Sequence, residues 1–260
     1  MAADIVAPRP RGIYRVSSFA HDWLTPDWPA PAWVRACITT RSGGVSLAPF
    51  DTLNLGEHVD DDPVAVAKNR QRLISLIGCK PAWLSQVHDV AVVEADPTQV
   101  LSADGSWTAT PGVACTVMTA DCLPVLFCDR AGKRVAAAHA GWRGLAAGVL
   151  EATLDEMTIE PEETLVWLGP AIGPQAFEVG AEVREAFVAQ HANAVEAFKP
   201  SENSGRFMAD IYQLARIRLA ARGITAVYGG DFCTVTDPRF YSYRLANRTG
   251  RFASLIWLAN

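Results

Sequence analysis

Apolar positions along the chain fall into short, mostly apolar runs rather than one long periodic pattern. Residues 34–40, 83–87, 113–118, 123–128, 135–138, 164–168, 224–228 and 252–258 are such runs. Runs of this length, bounded by Gly, Pro or Asp, predict strands, several of them buried on both faces. Residues 90–93 read as a continuation of the 83–87 strand past a kink at His88-Asp89, and residues 241–244 as a further strand. Helical spacing takes over where the ends are well marked. Asp62 and Pro63 open one helix as N-cap and first-turn proline, Val66, Leu73, Ile74 and Ile77 form its stripe, and Gly78 closes it. Another runs over 210–222, with Ile211, Leu214, Ala215 and Leu219 inward and Gly223 at its end. Helices are also expected over 145–157 and 181–190. Residues 95–112, rich in Asp, Pro, Ser, Gly and Thr, read as a surface loop.

Residues 1–33 are rich in Pro and Trp and read as an irregular lead-in whose Trp23, Trp28 and Trp33 cover the core. Beyond them, strands and helices alternate without a regular βαβ repeat, and no low-complexity linker marks a boundary. The expected organisation is the lead-in followed by a single α/β domain over 34–260, with a mixed sheet covered by helices.

The two runs 123–128 and 135–138 flank Asp129-Arg130-Ala131-Gly132-Lys133, a turn cluster with Gly available for a left-handed residue. A hairpin centred between Arg130 and Ala131 sets Cys122 opposite His139, with Cβ atoms roughly 5 Å apart. A thiolate and an imidazole at that distance can share a metal ion, because Zn–S is about 2.3 Å and Zn–N about 2.0–2.1 Å. A bulge that slips the register by one residue would place the two side chains on opposite faces. Pro124 restricts the first strand to an edge, a strand start or a bulge.

Half of the residues are apolar, enough for a sizeable core, and the net charge is −5 with no basic block, which argues against nucleic acid as a partner. No apolar run reaches the roughly 20 residues that span a bilayer, so no membrane association is expected. The N-terminus lacks the apolar core of a secretory signal. The six cysteines, at 37, 79, 115, 122, 128 and 233, are too thinly spread for a disulfide framework. A reduced, cytoplasmic protein is expected; composition leaves the oligomeric state open, a monomer included.

Candidate chemistry is confined to a few places. Cys115 and Cys128 lie inside apolar runs and read as inert core thiols. Cys122 differs, standing between Asp121 and Pro124 at a strand entrance. With His139 it forms either a metal pair or a Cys–His nucleophile pair. His88, at a strand end, carries no local signal of its own. Asp121 is either a turn cap or a group that orients a ligand or moves a proton. Arg41 heads a Gly-rich loop, 41–45, which is either a plain turn or a place where a ligand approaches backbone closely. Residues 139–144 place a Gly-containing turn before a helix, an arrangement suited to anions, and Arg143 adds a forked cation. The Walker loop, HExxH, GxSxG, GxGxxG and the zinc-deaminase pattern are all missing.

Several segments together resemble one family. Residues 39–46 (TTRSGGVS), 53–56 (LNLG), 86–88 (QVH), 119–124 (TADCLP), 139–144 (HAGWRG), 168–173 (LGPAIG), 233–234 (CT), 241–244 (YSYR) and 249–251 (TGR) are similar, in order, to the motifs of the YfiH family, also called the laccase-domain or multicopper polyphenol oxidase family. The similarity runs from about residue 35 to the end. It implies a three-layer αβα fold and a zinc held by His88, Cys122 and His139. It also implies purine nucleoside phosphorylase activity on adenosine, inosine, guanosine and methylthioadenosine, with adenosine deaminase activity alongside. Asp89 and Leu245 depart from the family pattern, where Gly and Arg are usual.

On that reading, three protein ligands leave a fourth metal position open, the pattern of a catalytic site. Arg41, Arg143 and Arg244 are the candidate phosphate clamps, and Asp121, Cys122 and His139 the candidate catalytic groups. Two rivals follow from the same family names. One is a cysteine-dependent amidase that edits peptidoglycan precursors, with Cys122 as nucleophile and His139 as base. The other is a copper-dependent polyphenol oxidase, which needs more imidazoles than five histidines readily supply.

Overall fold

The structure, a computed structural model, describes residues 22–260. The lead-in expected over residues 1–33 therefore lies outside the described residues as far as residue 21. From Asp22 it is irregular apart from a bridge between Leu24 and Ile38. Trp23 is buried in the core as expected, whereas Trp33 is half exposed and caps the 129–133 turn, its Nε1 donating to the Gly132 carbonyl at 2.9 Å.

The elements follow in chain order as β1 (Val34–Ile38), α1 (Pro63–Ile77), β2 (Lys80–Ala82), β3 (Leu84–Ser85), β4 (Val92–Glu94), β5 (Leu101–Ser102), β6 (Gly105–Thr108), β7 (Val113–Thr119), β8 (Leu123–Asp129) and β9 (Val135–Ala140). Then come α2 (Trp142–Ala147), α3 (Val149–Met157), β10 (Thr164–Leu168), β11 (Glu178–Gly180), α4 (Ala181–Val188), β12 (Phe198–Pro200), β13 (Arg206–Ala209), α5 (Ile211–Ala221), β14 (Val227–Gly229) and β15 (Phe252–Leu258).

Two mixed sheets dominate, a four-stranded one ordered β1-β15-β7-β2 and a six-stranded one ordered β14-β10-β8-β9-β6-β4. Alternate residues show how they stack. Cys115 and Val117 of β7 join Leu126 and Cys128 of β8 and Val135 and Ala137 of β9 in one buried cluster between the sheets. Ala114 and Met118 of β7 face the other way, onto Leu73 and Ile77 of α1. Leu123, Val125 and Phe127 of β8 face α3, α4 and α5. Helices thus cover both outer faces of a mixed β layer, as expected, and that layer is itself two sheets thick. Burial on both faces explains why these strands read as mostly apolar runs without strict alternation. No helix among the described residues is long and apolar enough to cross a membrane.

Helix α1 has the expected ends: the Asp62 carboxylate accepts from the Val64 N–H, and Gly78 is left-handed at φ 67°. Its stripe is corrected at one position. Ile74 is 41% exposed, and Asn69 takes an inward place, donating to Ser46 Oγ and to the carbonyls of Thr52 and Asn54 at 2.9–3.1 Å. That buried amide pins the 45–54 loop without leaving a polar group unpaired.

Other expectations are corrected. The helix over 145–157 is two helices, α2 and α3, broken at Gly148, whose φ of 112° leaves helical backbone. Residues 92–94 do not extend the 83–87 strand, of which only β3 forms and pairs with β5; they pair in parallel with β6, in the six-stranded sheet. Residues 95–112 are not all surface loop, since β6 lies between β4 and β9 and is largely buried. Its small and polar composition has a packing cause: a Cβ on Gly105 would sit 2.9 Å from Val92 Cγ2. Residues 241–244 form no strand, because Tyr241 is buried and donates its hydroxyl to the Phe50 carbonyl at 2.7 Å, while Arg244 turns its N–H to Asp121.

Candidate active site

The hairpin β8–β9 forms around a turn in which Gly132 is left-handed at φ 61° and Asp129 Oδ1 accepts from the N–H groups of Lys133 and Arg134. Its register differs from the expected one by two residues: His139 faces Pro124 and Leu123 faces Ala140, so Cys122 does not lie directly opposite His139. Because the side-chain period of a strand is two, this shift keeps both side chains on one face and makes them diagonal neighbours. Pro124 is tolerated at the second residue of β8, where the strand begins.

His88 arrives from a loop rather than a strand end. It adopts a left-handed backbone at φ 64°, which turns its ring toward the hairpin. The ligand atoms of His88, Cys122 and His139 all lie within 4.8 Å of one another. Cys122 Sγ is 3.7 Å from His88 Nε2, close to the separation of about 3.6 Å that tetrahedral coordination gives with ordinary Zn–S and Zn–N bonds. The two imidazoles meet nearly edge-on, with ring centroids 4.7 Å apart. Gly141 makes the approach possible, since a Cβ there would lie 2.6 Å from His88 Cδ2 and 3.1 Å from Cys122 Sγ.

Asp104 organises this group, and sequence reasoning missed it because Asp104-Gly105 reads as a turn dipeptide. Its side chain is fully buried. Oδ1 accepts from His139 Nδ1 at 2.7 Å and from the His88 N–H at 3.0 Å. Oδ2 accepts from the N–H groups of Val87 and Asp89 at 3.1 and 2.8 Å. One carboxylate therefore holds the His88 loop and orients the His139 ring so that Nε2 is left for a ligand. Burial pulls the Asp104 pKa upward, but the His139 bond and the N–H donors outweigh it, and the net shift is downward.

The same proximity polarises the pair at the centre. Burial opposes a thiolate at Cys122, yet the charge of His139 and hydrogen bonds from both imidazoles bring its pKa down to about 6. Burial likewise opposes a cationic His139, and the Cys122 charge and the Asp104 bond raise it to about 9. Two nitrogens and one ionisable sulfur with a carboxylate behind them are a fit for zinc or for copper(I), whose affinities favour thiolate and imidazole.

These side chains line a cavity of about 330 Å³ that also includes Trp142, Ile172, Phe177, Arg244 and Arg251. A larger cavity, about 640 Å³, lies beside β11 and β12 among Glu178, Lys199 and Ser201, away from the ligand group. Chemistry, not volume, distinguishes the two. Of the expected cations only Arg244 lines the smaller cavity, its guanidinium donating to the carbonyls of Ala176 and Glu178 at 2.9 and 3.1 Å. Arg41 is placed elsewhere, paired with Asp51 at 3.1 Å and lying over the Tyr241 ring. Arg143 is exposed and rests over Trp142, outside the cavity lining. Both oxygens of Asp121 are engaged, by the Thr234 hydroxyl and the Arg244 N–H, each at 2.6 Å. Arg251 and Thr119, which belong to the TGR and TADCLP motifs but carry no assigned role there, also line the cavity, as does His58. Arg251 follows a Gly ahead of the last strand, a position that reads as an ordinary turn.

Asp89 and Leu245, the two departures from the family pattern, leave the frame intact. The left-handed residue is His88, not Asp89, whose N–H serves Asp104. Leu245 is exposed and donates its N–H to Ser242 Oγ.

The family model described as multi-copper polyphenol oxidoreductase laccase matches residues 35–259. A Pseudomonas aeruginosa protein named purine nucleoside phosphorylase is 74% identical over 237 residues, covering 91% of this chain and 98% of that one. An Escherichia coli protein named purine nucleoside phosphorylase YfiH is 56% identical over 240 residues, covering 90% and 98%. The crystal structure of a Neisseria meningitidis protein superposes with a TM-score of 0.89 at 52% identity, covering 92% of this chain and 99% of that one.

Proposed function

The chain belongs to the multi-copper polyphenol oxidoreductase laccase family, and from that premise we propose that it is a zinc-dependent purine nucleoside phosphorylase. Its substrates are adenosine, inosine, guanosine and methylthioadenosine with phosphate, and adenosine deamination is a side activity. It works in the reduced cytoplasm, where its cysteines, all free, stay thiols. The observation that carries the reading is the meeting of the His88–Cys122–His139 group with aromatic walls and cations in one cavity. The names of the close relatives supply the reaction.

The purine fits the slot between Phe177, Ile172 and Trp142, whose flat and apolar faces suit a heteroaromatic ring. In phosphorolysis a phosphate oxygen bonds to the anomeric carbon, the glycosidic C–N bond breaks, and its electron pair leaves with the base. The chain must hold both reactants in line and exclude water, which would otherwise give hydrolysis. Arg244 stays at the mouth as a cation against the substrate. Asp121 holds the Arg244 backbone to the segment that carries Cys122, an orienting role, since both its oxygens are already accepting. His88, Cys122 and His139 would hold the metal, which supplies a Lewis-acidic position with one place left for an oxygen or nitrogen of the substrate or for water.

One observation favours a second reading. The acidic Cys122 thiol beside a basic His139 is also how a cysteine nucleophile is prepared. The rival is then a cysteine amidase acting on cell-wall precursors. A multi-copper oxidase is not favoured, as one three-residue ligand group is present among the described residues.

The deciding experiment incubates purified protein with adenosine, with and without phosphate. Adenine and ribose 1-phosphate should appear only with phosphate, and metal removal should stop the reaction. Base release that ignores phosphate would reject phosphorolysis. Turnover of an amide by metal-free protein, stopped by alkylating Cys122, would establish the amidase instead.

A further inference from the structure

Arg251 stands directly before β15 and lines the same cavity as the ligand group. Its side chain is held in place. The backbone N–H donates to Asn54 Oδ1 at 2.9 Å, and Nη1 donates to the carbonyls of Thr249 and Gly250 at 3.0 Å. The aliphatic stem lies against Gly56, where a Cβ would come within 2.9 Å of Arg251 Cγ. Nε and Nη2 have no hydrogen-bond partner, and no carboxylate pairs with this guanidinium among the described residues. Half-buried cations without a counter-charge are costly, so a fixed one facing a cavity marks a place for an anion.

A second, independent observation lies on the strand paired with β15. Thr119 faces Phe252 across the β7–β15 ladder, which brings the end of β7 beside Arg251. Thr119 lines the cavity, and its buried hydroxyl has no hydrogen-bond partner among the described residues. Buried hydroxyls are nearly always paired, so this one has a donor or acceptor site to offer a ligand. His58 lines the cavity too and makes no side-chain hydrogen bond among the described residues. Burial and the nearby charge of Arg251 lower its pKa, which leaves a neutral imidazole with one N–H to donate.

We propose that Arg251 and Thr119, with His58 at the rim, form an oxyanion subsite that binds the attacking phosphate beside the metal-binding group. A planar guanidinium fork, a hydroxyl and an imidazole N–H are the kinds of donor that a tetrahedral oxyanion accepts from. The Asp121 carboxylate and Cys122 lie near enough to feel the Arg251 charge but form no ion pair with it, so the cation stays available. This assignment rests on phosphorolysis being the reaction, and it names the phosphate site that the expected Arg41 and Arg143 do not supply.

The test is steady-state kinetics of Arg251→Gln, Arg251→Lys and Thr119→Val on metal-loaded protein, varying phosphate and nucleoside separately. Arg251→Gln should raise the phosphate KM about 10- to 100-fold, and Thr119→Val several-fold, with nucleoside KM and metal content held. Arg251→Lys should fall between wild type and Arg251→Gln, because it keeps charge and loses the fork. An active Arg251→Gln enzyme with an unchanged phosphate KM overturns the subsite and leaves phosphorolysis standing. If wild type releases base without phosphate, the reaction assignment fails and the subsite is judged by binding alone. A phosphate-dependent rise in wild-type Tm that Arg251→Gln and Thr119→Val lose then supports it, and no such rise in wild type sinks it.

Discussion

Asp104 Oδ1 lies 2.7 Å from His139 Nδ1 and 3.0 Å from the His88 N–H, so one buried oxygen touches two of the three candidate ligands. Replacing Asp104 by Asn keeps the size but removes the charge. Metal affinity should fall about 10- to 100-fold, as for other carboxylates behind ligating histidines. Competition with a chromophoric chelator measures it, and an unchanged affinity would show that Asp104 is only a structural brace.

The same carboxylate predicts a pH signature in stability. Its folded pKa is below the ordinary 3.8, so the stabilisation it gives is complete above that value and is lost as pH falls through the lower, folded one. Its bond to His139 also helps raise that imidazole to about 9, a contribution present below the ordinary 6.5 and lost as pH rises through 9. The Tm difference between wild type and Asp104→Asn should therefore be widest between about pH 4 and 6.5 and shrink both in strong acid and towards pH 9. A gap that narrows as pH falls from about 8 to about 6 would assign the effect to another group.

Cys122 should be chemically distinct from the core thiols. In metal-free protein its alkylation should rise to half its maximum near pH 6, while Cys115 and Cys128, pushed up to about 12 by burial, stay unreactive. Bound metal should protect it, and Cys122→Ala should lose metal and activity together. Peptide mass spectrometry reads the site of alkylation; half-reaction above pH 8 contradicts the arrangement.

Gly141→Ala isolates sterics from backbone preference. Gly141 has φ −62°, which alanine adopts freely, so any effect comes from a methyl placed 2.6 Å from His88 Cδ2. The expected outcome is weakened metal binding with circular dichroism unchanged. Retained metal content would mean that the His88 loop moves without cost.

Arg41→Met separates the Gly-rich loop from the chemistry. Arg41 is committed to Asp51 in a partly exposed pair, so its loss should cost at most about 1 kcal/mol of stability. The phosphate KM should not move. A tenfold rise in that KM would return Arg41 to the site.

Much of the architecture is legible because it depends on burial and local ends. The mostly apolar runs at β7, β8, β10 and β15 mark strands covered on both faces, and Asp62, Pro63 and Gly78 mark the ends of α1. β6 was hidden because Gly105 and Ser106 are small for packing reasons and look like loop residues. Among site residues, the motif resemblance singled out His88, Cys122 and His139, yet local spacing placed Cys122 two residues out of its true register.

By itself, the sequence determined the class of fold, the strand and helix ends set by Gly, Pro and Asp, and the family to which the motifs point. Only tertiary structure decided which polar groups stand together. Asp104 meets His139 across 35 positions of chain, and Arg251 comes beside Thr119 through the pairing of β15 with β7. Such encounters depend on strand order and register, which arise from the packing of the whole core. No local pattern of side chains encodes which cation will stand at the cavity wall without a paired carboxylate.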